Sequence, residues 1–425
     1  MAMHDPDPWR EFALGDVASI TVGGTPSTAV SSFWGGDVPW MASGDVNQRR
    51  IIDVPGRISA LGLRSSNATL VDPPSVAIGL AGQGKTRGTA ALVERRLCTN
   101  QSVALISGDA EHLLTSYLFH DLDRRYEELR ARSSGGGRGG LSKAILERIP
   151  LRLPSVREQS LISRILDTVD DEIVVTERLI AKLEQMSQGL LHDLLTCGLN
   201  DNGTLRDPFR QPERFRTTAL GLLPDSWEVR MLQDVADVAR GKFTHRPRND
   251  PAYYGGGAPF IQTGDIAAAN GSVITQASQS LSKRGIAVST EFPAHTIAVT
   301  IAANIADTAI LGMPMFFPDS VVGVQCMPSH SARYVQLCIS AAKPRLEARA
   351  PQSAQKNINL KDLRPLLIPV PSQSEQMAIV AIYEAHAREV ADSSATREKL
   401  ALLKVGLMND LLSGRVRVTA DMDVA

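Results

Sequence analysis

The segment Gly79-Leu80-Ala81-Gly82-Gln83-Gly84-Lys85-Thr86 satisfies every specified position of G-x-x-x-x-G-K-[ST], the pattern in which backbone N–H groups and a lysine hold nucleotide phosphates. That chemistry needs a strand running into the loop and a helix running out, because the helix N-terminus supplies aligned donors. SVAIGL before the loop is a good apolar strand, but RGTAALV after it puts Gly88 in the first would-be helical turn and continues as a β-like run. The context predicts strand, loop and strand, without a nucleotide site. Other catalytic patterns are incomplete. Asp72-Pro73-Pro74 begins the [DN]-P-P-[YFW] signature of amino-methyltransferases, yet Ser75 stands where a ring must stack on a flipped base. Pro224-Asp225 and Pro318-Asp319 could open a Mg²⁺-nuclease centre, but the chain contains no Asp-x-Lys or Glu-x-Lys. The eight histidines are dispersed, with no helical i, i+4 pair beside a glutamate to hold zinc. No catalytic residue and no metal ligand is therefore expected.

The chemistry has to be carried by something larger than one motif. A chain of 425 residues holds two or more domains, and 45 basic against 46 acidic residues leave a net charge of -1, so any basic surface must be local. Cys98, Cys197, Cys326 and Cys338 are scattered without a C-x-x-C pair and read as reduced thiols of an intracellular protein. MAMHDPDPW lacks a basic-then-apolar leader, and Asn304, Asp307 and Pro314 interrupt the most apolar long window, so a soluble cytoplasmic protein without a membrane span is expected.

The chain repeats itself at a period near 218 residues. Trp9, Leu14, Asp16, Val17 and Ala18 recur as Trp227, Leu232, Asp234, Val235 and Ala236. GGDVPWMASGDV returns as GGGAPFIQTGDI, keeping Pro39/Pro259, Trp40/Phe260 and Gly44-Asp45/Gly264-Asp265. From Arg132/Arg349 to Leu195/Leu412 the offset stays at 217, through Pro154-Ser155/Pro371-Ser372 and Glu158-Gln159/Glu375-Gln376. Each copy opens with a region of short strands (SVAIGL, SVALIS; TIAVTI, VVGVQC) broken by Gly, Pro and Asn turns, which predicts an α+β globule. Each then turns helical, with near-heptad apolar residues: Ile162, Val169, Ile173, Ile180, Leu183, Leu190 and Leu194 in the first, Ile379, Val390, Leu400, Leu403, Leu407 and Leu411 in the second. Roughly 38 residues at about 1.5 Å each make a rod of about 57 Å, and two such stripes most simply pack on each other. The expected organisation is a globule over 1–155, a spacer helix over 156–200, a polar linker over 201–222, a second globule over 223–372 and a second helix over 373–425.

FWGGDVPWMASGDVN, GQGKTRGTAAL, TNQSVALI, GLLPDSWEVRML and the doubled P-S-x-x-E-Q helix start together resemble the specificity subunits of type I restriction-modification systems, over nearly the whole chain. The resemblance implies two tandem target-recognition domains related by a pseudo-two-fold axis and joined by two long helices paired antiparallel as a coiled coil. It implies a non-catalytic subunit that reads a split double-stranded DNA sequence, one half per domain, with the helices as spacer. Two modification (methyltransferase) subunits and restriction/translocase subunits are the implied partners. S-adenosylmethionine and ATP/Mg²⁺ belong on those partners, and no cofactor is expected in this chain. The second copy has IAANIADT where the first has the GQGKT-like segment, so no phosphate cradle is common to both. Two rival readings are a methyltransferase or nuclease acting alone and a coiled-coil adaptor without specific DNA contact.

DNA readout needs cations on phosphates and paired donors and acceptors on base edges. In the first copy the candidates are Asn47, Gln48, Arg49 and Arg50, then Gln83, Lys85 and Arg87 in the glycine loop, then Arg132 and Arg138. In the second they are Lys242, His245, Arg246 and Arg248, followed by Tyr253, Gln262, Thr263, Gln352, Gln355 and Lys356.

Overall fold

A computed structural model describes residues 8–82, 84–132, 140–245, 247–302, 304–349 and 357–418. The chain divides into two compact units, Met1–Arg178 with Ser394–Ala425, and Leu179–Ser393. The expected repeat is present strand for strand in the main sheet of each unit, while the smaller sheets have three strands in the first and four in the second. In the first unit a five-stranded sheet has the order Ala18–Val22, Val103–Gly108, Ser75–Gly79, Ala90–Val93, Arg50–Ile51. In the second the order is Ala236–Arg240, Val321–Cys326, Ile297–Thr300, Thr308–Leu311, Val273–Ile274. In both, every pair is antiparallel except the last, which is parallel. The central strands Ser75–Gly79 and Ile297–Thr300 are buried along their whole length, as SVAIG and IAVT require of strands covered on both faces. A smaller sheet lies beside each, built on Trp34–Met41 in one unit and Tyr254–Phe260 in the other. The repeated Gly-Asp pair has a local reason: Asp45 Oδ2 accepts from Ala42 N at 2.9 Å and Asp265 Oδ2 from Gln262 N at 2.7 Å, closing the turn after each of these strands.

Two long helices, Val156–Thr196 and Gln373–Leu411, each begin in one unit and end in the other. Within the first unit Glu177 pairs with Arg397 (3.1 Å) and Asp170 with Lys404 (2.7 Å), so the segments run antiparallel. Within the second unit Leu183 O faces His386 Nε2 at 2.9 Å, while Leu199 N donates to Glu375 at 2.8 Å, the same sense. Of the predicted stripe, Ile162, Val169, Leu183, Leu194, Ile379 and Leu411 are buried, and Ile173, Ile180, Leu190, Val390, Leu400 and Leu407 are half-buried. Leu403 corrects the sequence reading: it is 50 % exposed, and Lys404 at 6 % takes the seam position instead. Heptad steps alternate between three and four residues, so the period admits either 403 or 404 between Leu400 and Leu407, and burial selects 404.

Lys404 is tolerated there because its ammonium lies 2.7 Å from Asp170 and 3.5 Å from Asp123, both also held by Arg49 at 3.0 and 3.1 Å. Its counterpart in the first long helix, at the constant offset, is Ser187, so the charge cluster belongs to one unit only. A polar seam position of this kind specifies register at some cost in stability.

The repeated start of each long helix has a structural reason as well. Gln159 donates to His112 O (2.7 Å) and Pro154 O (3.0 Å) and accepts from Leu114 N (2.9 Å); Gln376 accepts from Ser331 N (2.9 Å) and donates to Pro371 O (3.0 Å). Each glutamine thus ties the helix to its own globule. Each preceding glutamate ties it to the chain leaving the other helix: Glu158 takes Arg417 at 2.8 Å and Val418 N at 3.2 Å, and Glu375 takes Arg206 at 2.5 Å and Leu199 N at 2.8 Å. Trp227 Nε1 adds a third donor to Glu375 at 3.1 Å. Gly198 makes room, since its φ of 62° is left-handed and a Cβ there would meet the Trp227 ring at 2.3 Å. The polar linker is correspondingly ordered: Pro212–Arg214 form a short turn, and Phe215–Thr218 pair with Gly221–Pro224 as a hairpin.

Lys404→Ala should lower unfolding free energy by roughly 3 kcal/mol or more, because it leaves the buried Asp170 and the half-buried Asp123 with Arg49 alone. Leu403→Ala should cost no more than about 0.5 kcal/mol. Denaturant titration of both variants measures this; a reversed order would return Leu403 to the seam.

Candidate nucleic-acid interface

In the first unit the glycine loop joins strands Ser75–Gly79 and Ala90–Val93, which pair antiparallel from Ser75↔Val93 to Ile78↔Ala90. A strand follows Lys85-Thr86, so no helix N-terminus aims donors into the loop, as the flanking residues predict. The loop is held from outside by two residues the sequence did not single out. Arg130 Nη1 donates to Gly84 O (2.7 Å) and Arg87 O (3.3 Å), and Tyr126 Oη donates to Lys85 O (3.2 Å). The Arg130 guanidinium also covers the Tyr126 ring at 5.4 Å. Their spacing of four on the helix Tyr126–Arg132 was the available signal. Arg87 is half-buried, whereas Lys85 is exposed and its ammonium makes no ion pair among the described residues. The matching hairpin in the second unit, between Ile297–Thr300 and Thr308–Leu311, is held differently, by Lys343 Nζ on Asp307 at 2.5 Å.

Arg49 and Arg50 follow the exposed Asn47 and Gln48, but their charges are turned inward. Arg49 spans Asp123 and Asp170 and lies 5.4 Å from the Phe119 ring. Burial lowers its pKa, yet the two carboxylates outweigh burial and hold it above the ordinary value. Arg50 joins Glu94 (2.8 Å) to Asp167 (2.6 Å). Burial raises the Asp167 pKa, but the hydrogen bond from buried His120 at 3.1 Å and the Arg50 charge bring it below the ordinary value. These two arginines organise the domain against its helix, and their cations are already matched. Arg132 is likewise paired, with Glu128 at 2.8 Å.

In the second unit two separate candidate segments come together. Lys242 is exposed with no ion pair among the described residues, His245 stacks on Tyr253 at 3.7 Å, and Arg248 is fixed by Asp319 at 2.5 Å. Beside them a cleft of about 360 Å³ is lined by Phe243, Arg248, Asn249, Tyr254, Phe260 and Gln262, with Gln279 at its edge. Gln262 Nε2 donates to Gln279 Oε1 at 3.1 Å; Thr263, half-buried, begins the helix Thr263–Ala269. Asn249 and Gln279 were not singled out by the sequence, because each lies in an ordinary polar stretch and only the fold brings it to the cleft. Gln83, Arg138, Arg246, Gln352, Gln355 and Lys356 lie outside the described residues.

The cysteines are free, and burial pushes the thiol of Cys98 up to about 11 and those of Cys326 and Cys338 up to about 12. Among the described residues no helix is long and apolar enough to cross a membrane, and no group of three or more His, Cys, Asp and Glu is placed to hold a metal ion.

The same organisation recurs in known proteins. The type I restriction enzyme MjaVIII specificity subunit of Methanocaldococcus jannaschii is 23 % identical over 238 residues, which is 56 % of this chain and 51 % of that one. The chain thus spans about half the length of this curated relative. The type I restriction-modification S subunit of M. genitalium aligns with a TM-score of 0.56 at 12 % identity, covering 97 % of this chain and 98 % of that one. A chain from a structural study of complex assembly and conformational transition in the type I R-M system aligns with a TM-score of 0.61 at 16 % identity, covering 98 % and 100 %. Those two likenesses bear on the fold. Two segments of this chain, residues 6–185 and 224–400, each match the family described as type I restriction modification DNA specificity domain, and the chain belongs to that family.

Proposed function

We propose that the chain is the DNA-specificity subunit of a type I restriction-modification complex, reading one half of a bipartite target with each globule. The observation that carries this reading is a repeated scaffold with unlike edges. Strand order and pairing are the same in the five-stranded sheets of the two units, while the loops at matching positions differ: a glycine loop bearing Lys85 in one, Ile301–Asp307 in the other. One backbone with two sets of side chains suits two different half-sequences. The helix pair serves as spacer and as the platform for two modification subunits, with restriction/translocase subunits joining them. Methyl transfer and ATP-driven steps, with S-adenosylmethionine, ATP and Mg²⁺, belong to those partners in the cytoplasm, and this chain contributes recognition without catalysis.

Co-expression with an adenine-modifying partner subunit and sequencing of the methylated DNA tests the reading directly. A methylated motif of two short half-sequences separated by a fixed unread spacer is expected. Methylation or cleavage by the purified chain alone would contradict it.

Lys85 supplies a second test. Lys85→Ala should make the slope of log affinity against log salt shallower by about 0.9 for the assembled complex, since one phosphate contact releases its counterion. ATP should not bind the isolated chain before or after the change. Saturable ATP binding that disappears with Lys85, together with an unchanged salt slope, would restore a nucleotide site.

A further inference from the structure

The cleft of the second unit carries a more specific consequence, one that rests on the DNA-specificity reading. Its floor is aromatic: Phe243 lies 5.5 Å from Phe260 and 5.6 Å from Tyr254, so the wall is stiff. Over that floor sit two amides bonded to each other, Gln262 and Gln279. Both are anchored through one carboxylate, since Asp265 Oδ2 accepts from Gln262 N at 2.7 Å and from Ser278 Oγ at 2.8 Å. The internal hydrogen bond uses one donor of Gln262 and one acceptor of Gln279. It leaves Gln262 with a free acceptor and a free donor side by side, and Gln279 with free donors.

The first unit has the same strand, the same turn and the same anchoring aspartate, but no amide pair. Trp40 and Gly56 occupy the places of Phe260 and Gln279, because Val38↔Ile58 and Pro39↔Arg57 match Ala258↔Leu281 and Pro259↔Ser280 in register. Ala42 takes the place of Gln262. A side chain at residue 56 is barred as well, since a Cβ there would lie 2.2 Å from Trp40 O. The scaffold therefore does not need these amides. They are a difference between two domains with matched main sheets, set in a cleft that Arg248 also lines, with the exposed Lys242 next in the chain to its Phe243.

We infer that the Gln262–Gln279 pair reads an adenine in the half-site of the second domain, Gln262 presenting its acceptor to N6–H and its donor to N7 in the major groove. A side-chain amide makes that bidentate match with adenine, whereas a carboxylate matches the N4 donor of cytosine. The pairing to Gln279 holds the Gln262 amide in place and leaves it one acceptor and one donor, so discrimination comes from a preset edge.

The test uses the full chain assembled with its modification subunits on a DNA library randomised across both half-sites, read by sequencing methylated products. Gln262→Ala and Gln279→Ala should each reduce preference for adenine at one position of the second half-site, by roughly ten- to a hundredfold for Gln262. The first half-site should be unchanged. Gln262→Glu should move the preference at that same position toward cytosine, a gain that mere loosening of the domain does not produce. An unchanged second half-site in all three variants overturns the assignment, as does an equal loss at every sequence, which would make the pair a packing element. A parent complex that methylates no bipartite motif would instead remove the specificity reading on which the inference rests.

Discussion

A carboxylate at the start of each long helix, buried at Glu158 and half-buried at Glu375, is the constraint on which the other features depend. Glu158 and Glu375 are each surrounded by donors from the segment that leaves the opposite helix, and each is followed by a glutamine that fastens the same helical turn to its own globule. A charge so enclosed is costly to bury unless its oxygens are matched, which makes the arrangement selective: the wrong register leaves a carboxylate without partners. Apolar seams alone do not discriminate in this way, since Leu and Ile pack in several registers. The clasps and the single buried Lys404 therefore define an alignment that the heptad stripes merely permit.

That division of labour explains how one backbone can serve two recognition tasks. Inside each unit the central strands are fully buried and carry small and β-branched residues, and the Asp45 and Asp265 turns fix the geometry of the neighbouring strand. Side chains at loop tips and cleft edges are then free to differ without disturbing the core. Lys85 against the Asp307–Lys343 pair, and Ala42 with Gly56 against Gln262 with Gln279, are substitutions of this kind.

Much of this architecture was legible because it is written twice. Residues repeated at a constant offset turned out to be those with several simultaneous partners, such as Trp227, Glu375 and Gln376 in the second unit. The glycine loop could be separated from a phosphate cradle because Gly88 and AALV follow it, and that is a local property. The roles of Arg49 and Arg50 were not legible, since their carboxylate partners Asp123, Asp167 and Asp170 lie some 70 to 120 residues away and no local pattern links them. Leu403 was misplaced for a related reason: residue type favoured it, while a buried lysine is acceptable only once its distant acids are known. The ordered linker was hidden because its polar, proline-broken composition says nothing about Arg206 finding Glu375.

The clasp at each helix start requires those glutamates and arginines to act as coupled pairs. A double-mutant cycle on Glu375→Ala and Arg206→Ala in the full chain, followed by denaturant unfolding, measures this most directly. Each single variant should be strongly destabilised, and the double variant should recover a coupling energy of roughly 1.5 kcal/mol or more. Single effects that add within about 0.5 kcal/mol would show that the pair is incidental, and the clasp would no longer explain the fold.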